Sequence, residues 1–282
     1  MKLSICLLLV AISAAPLFAD FAYPVLTPAQ KAAQSEYVIV GKIIDIEKEP
    51  LLAAPYPYAE GTIEYKMVTV KIADRLFGAG GVTQVRVGFA PMNLGPRRGQ
   101  IALQGLKTEV GTEACYFLLP HSSGDFFVPV PWGAPLDSNA KNFKEQIAEV
   151  QKVTSVLSDP TKALKLKESS ERTFAARTLI GRYRSAPAMA GKGVLKQEDI
   201  AAEESKLILS ALAEMPWLAD EKSPGRATMW SLLNPSAKEG FTFPPASKGE
   251  AANKAMDDAT LKWLKDQRDT YRIKRFVVER KK

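Results

Sequence analysis

The chain contains one histidine, His121, and two cysteines, Cys6 and Cys115. A thiol nucleophile needs a base within hydrogen-bond reach. Cys115 and His121 are the only such pair once the first residues are set aside. Six residues of extended strand would hold them up to about 20 Å apart. Cys115 also lies in an apolar run from Ala114 to Leu119, where a cysteine behaves as a small core residue. It is expected to be buried and inert. An unusual hydrolase or thiol enzyme using Cys115 and His121 is the alternative. One histidine and one cysteine fall short of the usual zinc ligand set. The acidic pairs Asp257-Asp258 and Glu203-Glu204 read as helix caps or solvated helix faces. The chain has no G-x-x-x-x-G-K-[ST] loop, G-x-S-x-G elbow or H-E-x-x-H helix. Gly78, Gly80 and Gly81 read as a hairpin turn. No catalytic residue, cofactor or metal is expected, and the chain reads as a binding protein rather than an enzyme.

The residues suited to binding are aromatic and basic and lie between strands. Tyr56 and Tyr58 alternate with Pro55 and Pro57, so they present large faces at low ordering cost. Arg97 and Arg98 offer charge-assisted contacts to carboxylate or phosphate groups. Phe126 and Trp132 complete the expected contact surface. The competing reading is that these loops close the ends of a barrel.

Five strands would position them. Tyr37–Ile46 is apolar on both faces and bends at Gly41. Tyr65–Ile72 alternates, with Val68, Val70 and Ile72 on one face, and Val85, Val87 and Phe89 repeat the pattern. Ala114–Leu119 and Phe126–Val130 follow. Five such strands suit a closed or nearly closed barrel, which leaves no free edge. After Asp137 the period becomes helical. Phe143, Ile147, Val150, Val153 and Leu157 form one stripe, and Asp159-Pro160 starts another helix. Phe174, Ala175, Leu179 and Tyr183 form the next stripe, followed by Ile200, Leu207, Ile208, Ala211 and Leu212. A short helix spans Met229–Leu233. A long last helix is expected from Asp257 or Asp258 through Leu261, Leu264 and Tyr271 toward Phe276, with a basic end. The expected fold class is α+β: a five-stranded OB-like β-barrel over 35–137 followed by an all-α helical domain over 138–282, with residues 20–34 as linker.

Residues 1–19 have signal-peptide anatomy: Lys2, an apolar Leu3–Ile12 run, Pro16, and Ala19 before the expected cut. The run is too short to cross a bilayer, and no later run is longer, so no transmembrane segment is expected in the mature chain. Export to the periplasm or beyond follows. Cys6 leaves with the leader, so Cys115 has no disulfide partner. The net charge of +7, from 38 basic and 31 acidic residues, favours acidic partners only mildly. The expected partner is an envelope protein or an anionic polymer. Nucleic acid is not expected for an exported chain.

Residues 35–46 resemble the first strand of netrin-module and metalloproteinase-inhibitor-like OB domains. The run from 65 to 77, with Asp74-Arg-Leu-Phe-Gly78 where those domains carry a Lys-Gly turn, continues the resemblance, as do Val85–Phe89 and Cys115–Leu119. It covers about residues 32–131. Those inhibitors reach a zinc ion with a cysteine at the mature N-terminus, which this chain lacks. The resemblance therefore implies a fold and not protease inhibition. The two-part layout is also similar to exported proteins of planctomycete-type bacteria, a likeness that implies no activity.

Overall fold

The computed structural model describes residues 26–55, 59–90, 108–122, 124–131, 133–186, 195–219, 224–245 and 248–278. The expected leader lies outside them. The chain is mixed α+β. It opens with α1 (Pro28–Gln34), where Thr27 and Gln30 form a reciprocal cap and Pro28 occupies the first turn. Half of the expected linker is therefore helical.

The strands follow: β1 (Tyr37–Ile46), β2 (Leu51–Ala53), β3 (Ile63–Phe77), β4 (Gln84–Phe89), β5 (Glu113–Pro120), β6 (Phe127–Pro129) and β7 (Leu136–Asp137). Five of them form a ring. β1 pairs with β3, β3 with β4, β4 with β6, β6 with β5, and β5 again with β1. Every contact around the ring is antiparallel except the short parallel β4–β6 pair. β2 adds to β3, and β7 adds to β5.

Alternation in β5 divides the apolar residues between the two faces of this sheet. Ala114, Tyr116 and Leu118 join Ile39, Ile43, Val68, Val70 and Val87 in a cluster drawn from the strands and the β3–β4 turn. Cys115, Phe117 and Leu119 turn the other way, toward Ala32 of α1 and Val150 and Val153 of the helix that follows the strands. One set fills the ring, and the other is the outer face under a helical roof. The bend expected at Gly41 coincides with a register shift between β1 and β3. A methyl group there would stand 2.6 Å from Val70 Cγ1 and 2.7 Å from Lys71 O, so the two strands approach closely only because the side chain is missing.

The helices are α2 (Phe143–Ser158), α3 (Pro160–Leu164), α4 (Ser169–Arg184), α5 (Ala202–Ala213), α6 (Arg226–Leu233) and α7 (Gly249–Gln267). Asp159 caps α3 through the Lys162 amide at 3.0 Å, with Pro160 in the first turn as the sequence implies. Leu179, Ile180, Ile208, Leu209, Leu212, Trp230, Trp263 and Leu264 build the helical core. Leu157 of α2 and Phe174 of α4 pack against this core and against the roofed face of the ring.

Two expectations about the C-terminal half are corrected. It is not all-α: β8 (Leu195–Asp199) and β9 (Lys274–Val278) pair antiparallel. The last helix ends at Gln267, so Phe276 and Arg275 lie in a strand instead of at a basic helix end. Ile273, Phe276, Val277 and Val278 are β-branched or aromatic, which suits a strand better than a terminal turn. β8 has no such signal and is strand because β9 pairs with it.

Arg182 of α4 ties the helical half to the ring. Its Nη1 donates to Ala33 O and Ser35 O, both at 2.8 Å, and its guanidinium lies 5.6 Å from the centre of the Phe77 ring. Arg182→Ala strips both carbonyls of a charged donor. It should lower stability by about 1–3 kcal/mol in urea unfolding and raise amide exchange over residues 28–35 more than over α5. Arg182→Lys keeps a donor able to serve both carbonyls but brings no planar group over Phe77, and should recover only part of the loss.

Candidate binding site

The two long insertions between strands share a root. The first, residues 54–62, is closed by the β2–β3 pairing, in which Leu51 lies opposite Tyr65 and Ala53 opposite Ile63. The second begins where β4 ends, with Phe89 opposite Lys66. The chain returns at Thr108, whose carbonyl accepts a hydrogen bond from Lys66 Nζ at 3.1 Å. Both insertions thus leave and return beside the first four residues of β3.

An aromatic cluster pins this root. His121, just beyond β5, is 3 % exposed. Its Nε2 lies 2.8 Å from Ala54 O. A carbonyl can only accept, so Nε2 carries the proton in this contact. The imidazole stacks on Phe126, with ring centres 4.2 Å apart and planes at 16°. Tyr65 meets both rings edge-on, at 5.4 Å and 5.2 Å. Its hydroxyl makes a long 3.5 Å contact to Ala54 O, and burial raises its pKa. Gly88 makes room for the cluster, because a methyl group there would lie 2.7 Å from the Phe126 ring. The chain segment after β5 is thereby fastened to the first residue of the 54–62 loop.

Phe126 is only 2 % exposed and belongs to the packed outer face of the ring. It supports the loops and does not offer a contact surface, which corrects its expected role. Its neighbour in sequence, Phe127, packs edge-on against Tyr37 at 4.8 Å. Tyr56, Tyr58, Arg97, Arg98 and Trp132 lie outside the described residues. The structure does fix the roots of the loops that carry the first four.

Cys115 is fully buried in the middle of β5, opposite Val40 and Leu136. Burial pushes its thiol up to about 12. β5 runs as strand from Glu113 to Pro120, so Cys115 and His121 are separated by the rise of an extended strand, up to about 20 Å. Lys31 of α1, a residue whose importance the sequence did not reveal, comes nearer to the thiol. It is 7 % exposed, donates to Ala134 O at 2.9 Å and stands 5.7 Å from the Phe117 ring centre. Burial lowers its pKa, while the charge coupling to Cys115 opposes that shift. Only the helical setting of Pro28–Gln34 places this amine over the sheet.

An open depression of about 510 Å³ lies among Asp199, Glu239, Gln267, Tyr271 and Lys274. Its polar groups are largely engaged already. Glu239 accepts from the Ser236 amide and hydroxyl and pairs with Lys274, and Gln267 accepts from Thr270. Among the described residues there is no cluster of three or more metal-binding side chains, and no helix is long and apolar enough to cross a membrane. No family model matches the chain, and no curated protein matches it either.

Two outcomes follow from this geometry. His121→Leu keeps the bulk but loses the bond to Ala54, leaving that carbonyl without its ring N–H donor. It should cost about 1–3 kcal/mol and speed limited proteolysis within residues 54–62 before any other site. Cys115 should react with a thiol reagent at pH 8 far more slowly in the native protein than in denaturant. Because its folded pKa is raised, the neutral thiol is favoured by folding. The Cys115 contribution to stability is therefore complete below the ordinary thiol value of 9.0 and is lost as pH rises from there toward 12. Cys115→Ala should remove that part of the alkaline loss in pH-dependent unfolding.

Proposed function

We propose that this protein is an exported, non-enzymatic binding module of a bacterial envelope, and that its contact surface is formed by the loops carrying Tyr56, Tyr58, Arg97 and Arg98. The common root of those loops at Ile63–Lys66 carries the reading. Two insertions rooted on one strand end start and finish beside each other, which is the arrangement that would let side chains about forty positions apart in sequence act on one ligand. The anchoring by His121, Phe126 and Tyr65 reduces the ordering cost of binding at the first loop.

The strand connectivity supports an OB-type reading of the N-terminal half. Taking the five ring strands in chain order, the first pairs with the second and fourth, the third with the second and fifth, and the fourth with the fifth. OB domains are partly open Greek-key barrels that bind through the face of their second and third strands and through two loops. Those loops join strands one to two and four to five. Here they correspond to residues 47–62 and 121–126, which meet at the bond between Ala54 and His121. Phe126 fills the adjoining face, so the proposed contact is assigned to the loops and not to that face. The aromatic and basic content of the tips favours an acidic partner, either an envelope protein or an anionic polymer.

Replacing Tyr56, Tyr58, Arg97 and Arg98 together by alanine tests this directly. The melting temperature should change by less than about 2 °C, while retention of the partner recovered from a native envelope fraction should be lost. Unchanged retention would remove the loops from the proposal. Turnover of any substrate that persists through purification to homogeneity would overturn the non-enzymatic reading.

A further inference from the structure

Among the described residues β8 pairs with β9 alone, and all five of its residues are exposed. The hydrogen-bond phase of the pair reveals which backbone groups face outward. Ile200 N donates to Ile273 O at 2.9 Å, which makes Ile200 and Ile273 a hydrogen-bonded pair. In an antiparallel ladder such pairs alternate with pairs that do not bond. Glu198 with Arg275 and Lys196 with Val277 therefore bond inward, whereas the amides and carbonyls of Leu195, Gln197 and Asp199 point away from β9.

We propose that this outward edge is the seam of a symmetric dimer, in which β8 pairs antiparallel with β8 of a second copy about a twofold axis through Gln197. In this register the two Gln197 residues exchange amide–carbonyl bonds, and Leu195 bonds with Asp199 of the other copy. Lys196 then stands opposite Glu198 of the other copy, twice, in the non-bonded positions where cross-strand side chains come closest. Arg275 already pairs with Glu198 across β9 at 3.3 Å. The merged sheet would carry a row of alternating sign, from Arg275 through Glu198 to Lys196 of the second copy.

The sequence of the edge is what selects a second copy as the occupant. A lysine on an exposed edge normally deters pairing with an arbitrary strand. Here the segment Leu195–Asp199 read backwards supplies the complementary charge two positions away. The contact is isologous, as a closed dimer requires. Five residues of strand bury less than a standard interface, so the dimer should be weak and concentration-dependent.

Sedimentation equilibrium of the purified protein and two charge-reversed variants tests the seam. The protein should show a reversible monomer–dimer equilibrium. Lys196→Glu places two acidic side chains opposite Glu198, and Glu198→Lys does the reverse, so each variant alone should dimerise at least about tenfold more weakly. Mixing the two variants restores opposite charges at both positions, and the mixture should regain dimer. A monomer at every concentration overturns the proposal. So does a dimer indifferent to the reversals, which would place the interface elsewhere, or failure of the mixture to recover association. Circular dichroism of each variant confirms that the exposed substitutions leave the fold intact.

Discussion

The fold depends on a sheet that is apolar on both sides. β5 buries every residue from Ala114 to Leu119, and β1 buries both Val38 and Ile39 on opposite faces, so closing the ring satisfies one face and leaves the other needing cover. α1 and α2 supply it. Ala32, Val150 and Val153 are buried against the row of Cys115, Phe117 and Leu119, and Lys31 lays its stem across the same face. The helical half is anchored by this requirement. α2 and α4 reach from the sheet into a second core built around Trp230, Trp263 and Leu179.

This shared packing explains which features could be read from the sequence. The five ring strands were legible because each combines alternation or β-branched density with a turn at its end. Tyr37–Ile46 appears with the boundaries its composition implies. The stripe Phe143–Leu157 was legible for the same reason in helical period. The failures came where tertiary contacts decide. Leu195–Asp199 is polar after its first residue and becomes a strand through its partner. Ile273–Val278 continues the spacing of apolar residues seen in α7, and only the break after Gln267 reveals the change. Within the expected linker only a helical turn through Gln30–Ala33 was legible, because a helix of two turns is too short to show its period; it extends over Pro28–Gln34.

The candidate site was legible in composition and not in depth. Loop aromatics were visible, but single positions do not reveal whether a ring faces solvent. Phe126 shows the difference: Gly88 across the sheet leaves a hole, and Phe126 fills it. That pairing joins residues almost forty apart and has no local signature. His121 had drawn interest as a base for Cys115. It instead works as a fastener, because its ring N–H meets the carbonyl at the head of a loop. Lys31 was invisible for the opposite reason, since a lysine in a short polar segment gives no hint of burial.

The roof over the ring also bears on the order in which the protein can be made. A chain emerging from a ribosome, or threading through a secretion pore, delivers its N-terminus first. α1 and β1 arrive at once, but β5 follows only some seventy residues after β1, and α2 is not complete until Ser158. Until then the outward row of β1 and β5 lacks the part of its cover that α2 supplies, and the nascent ring offers a sticky flank to its neighbours. A chaperone that holds the chain extended until about residue 160 has emerged would match this architecture, because earlier release would commit half a sheet to solvent.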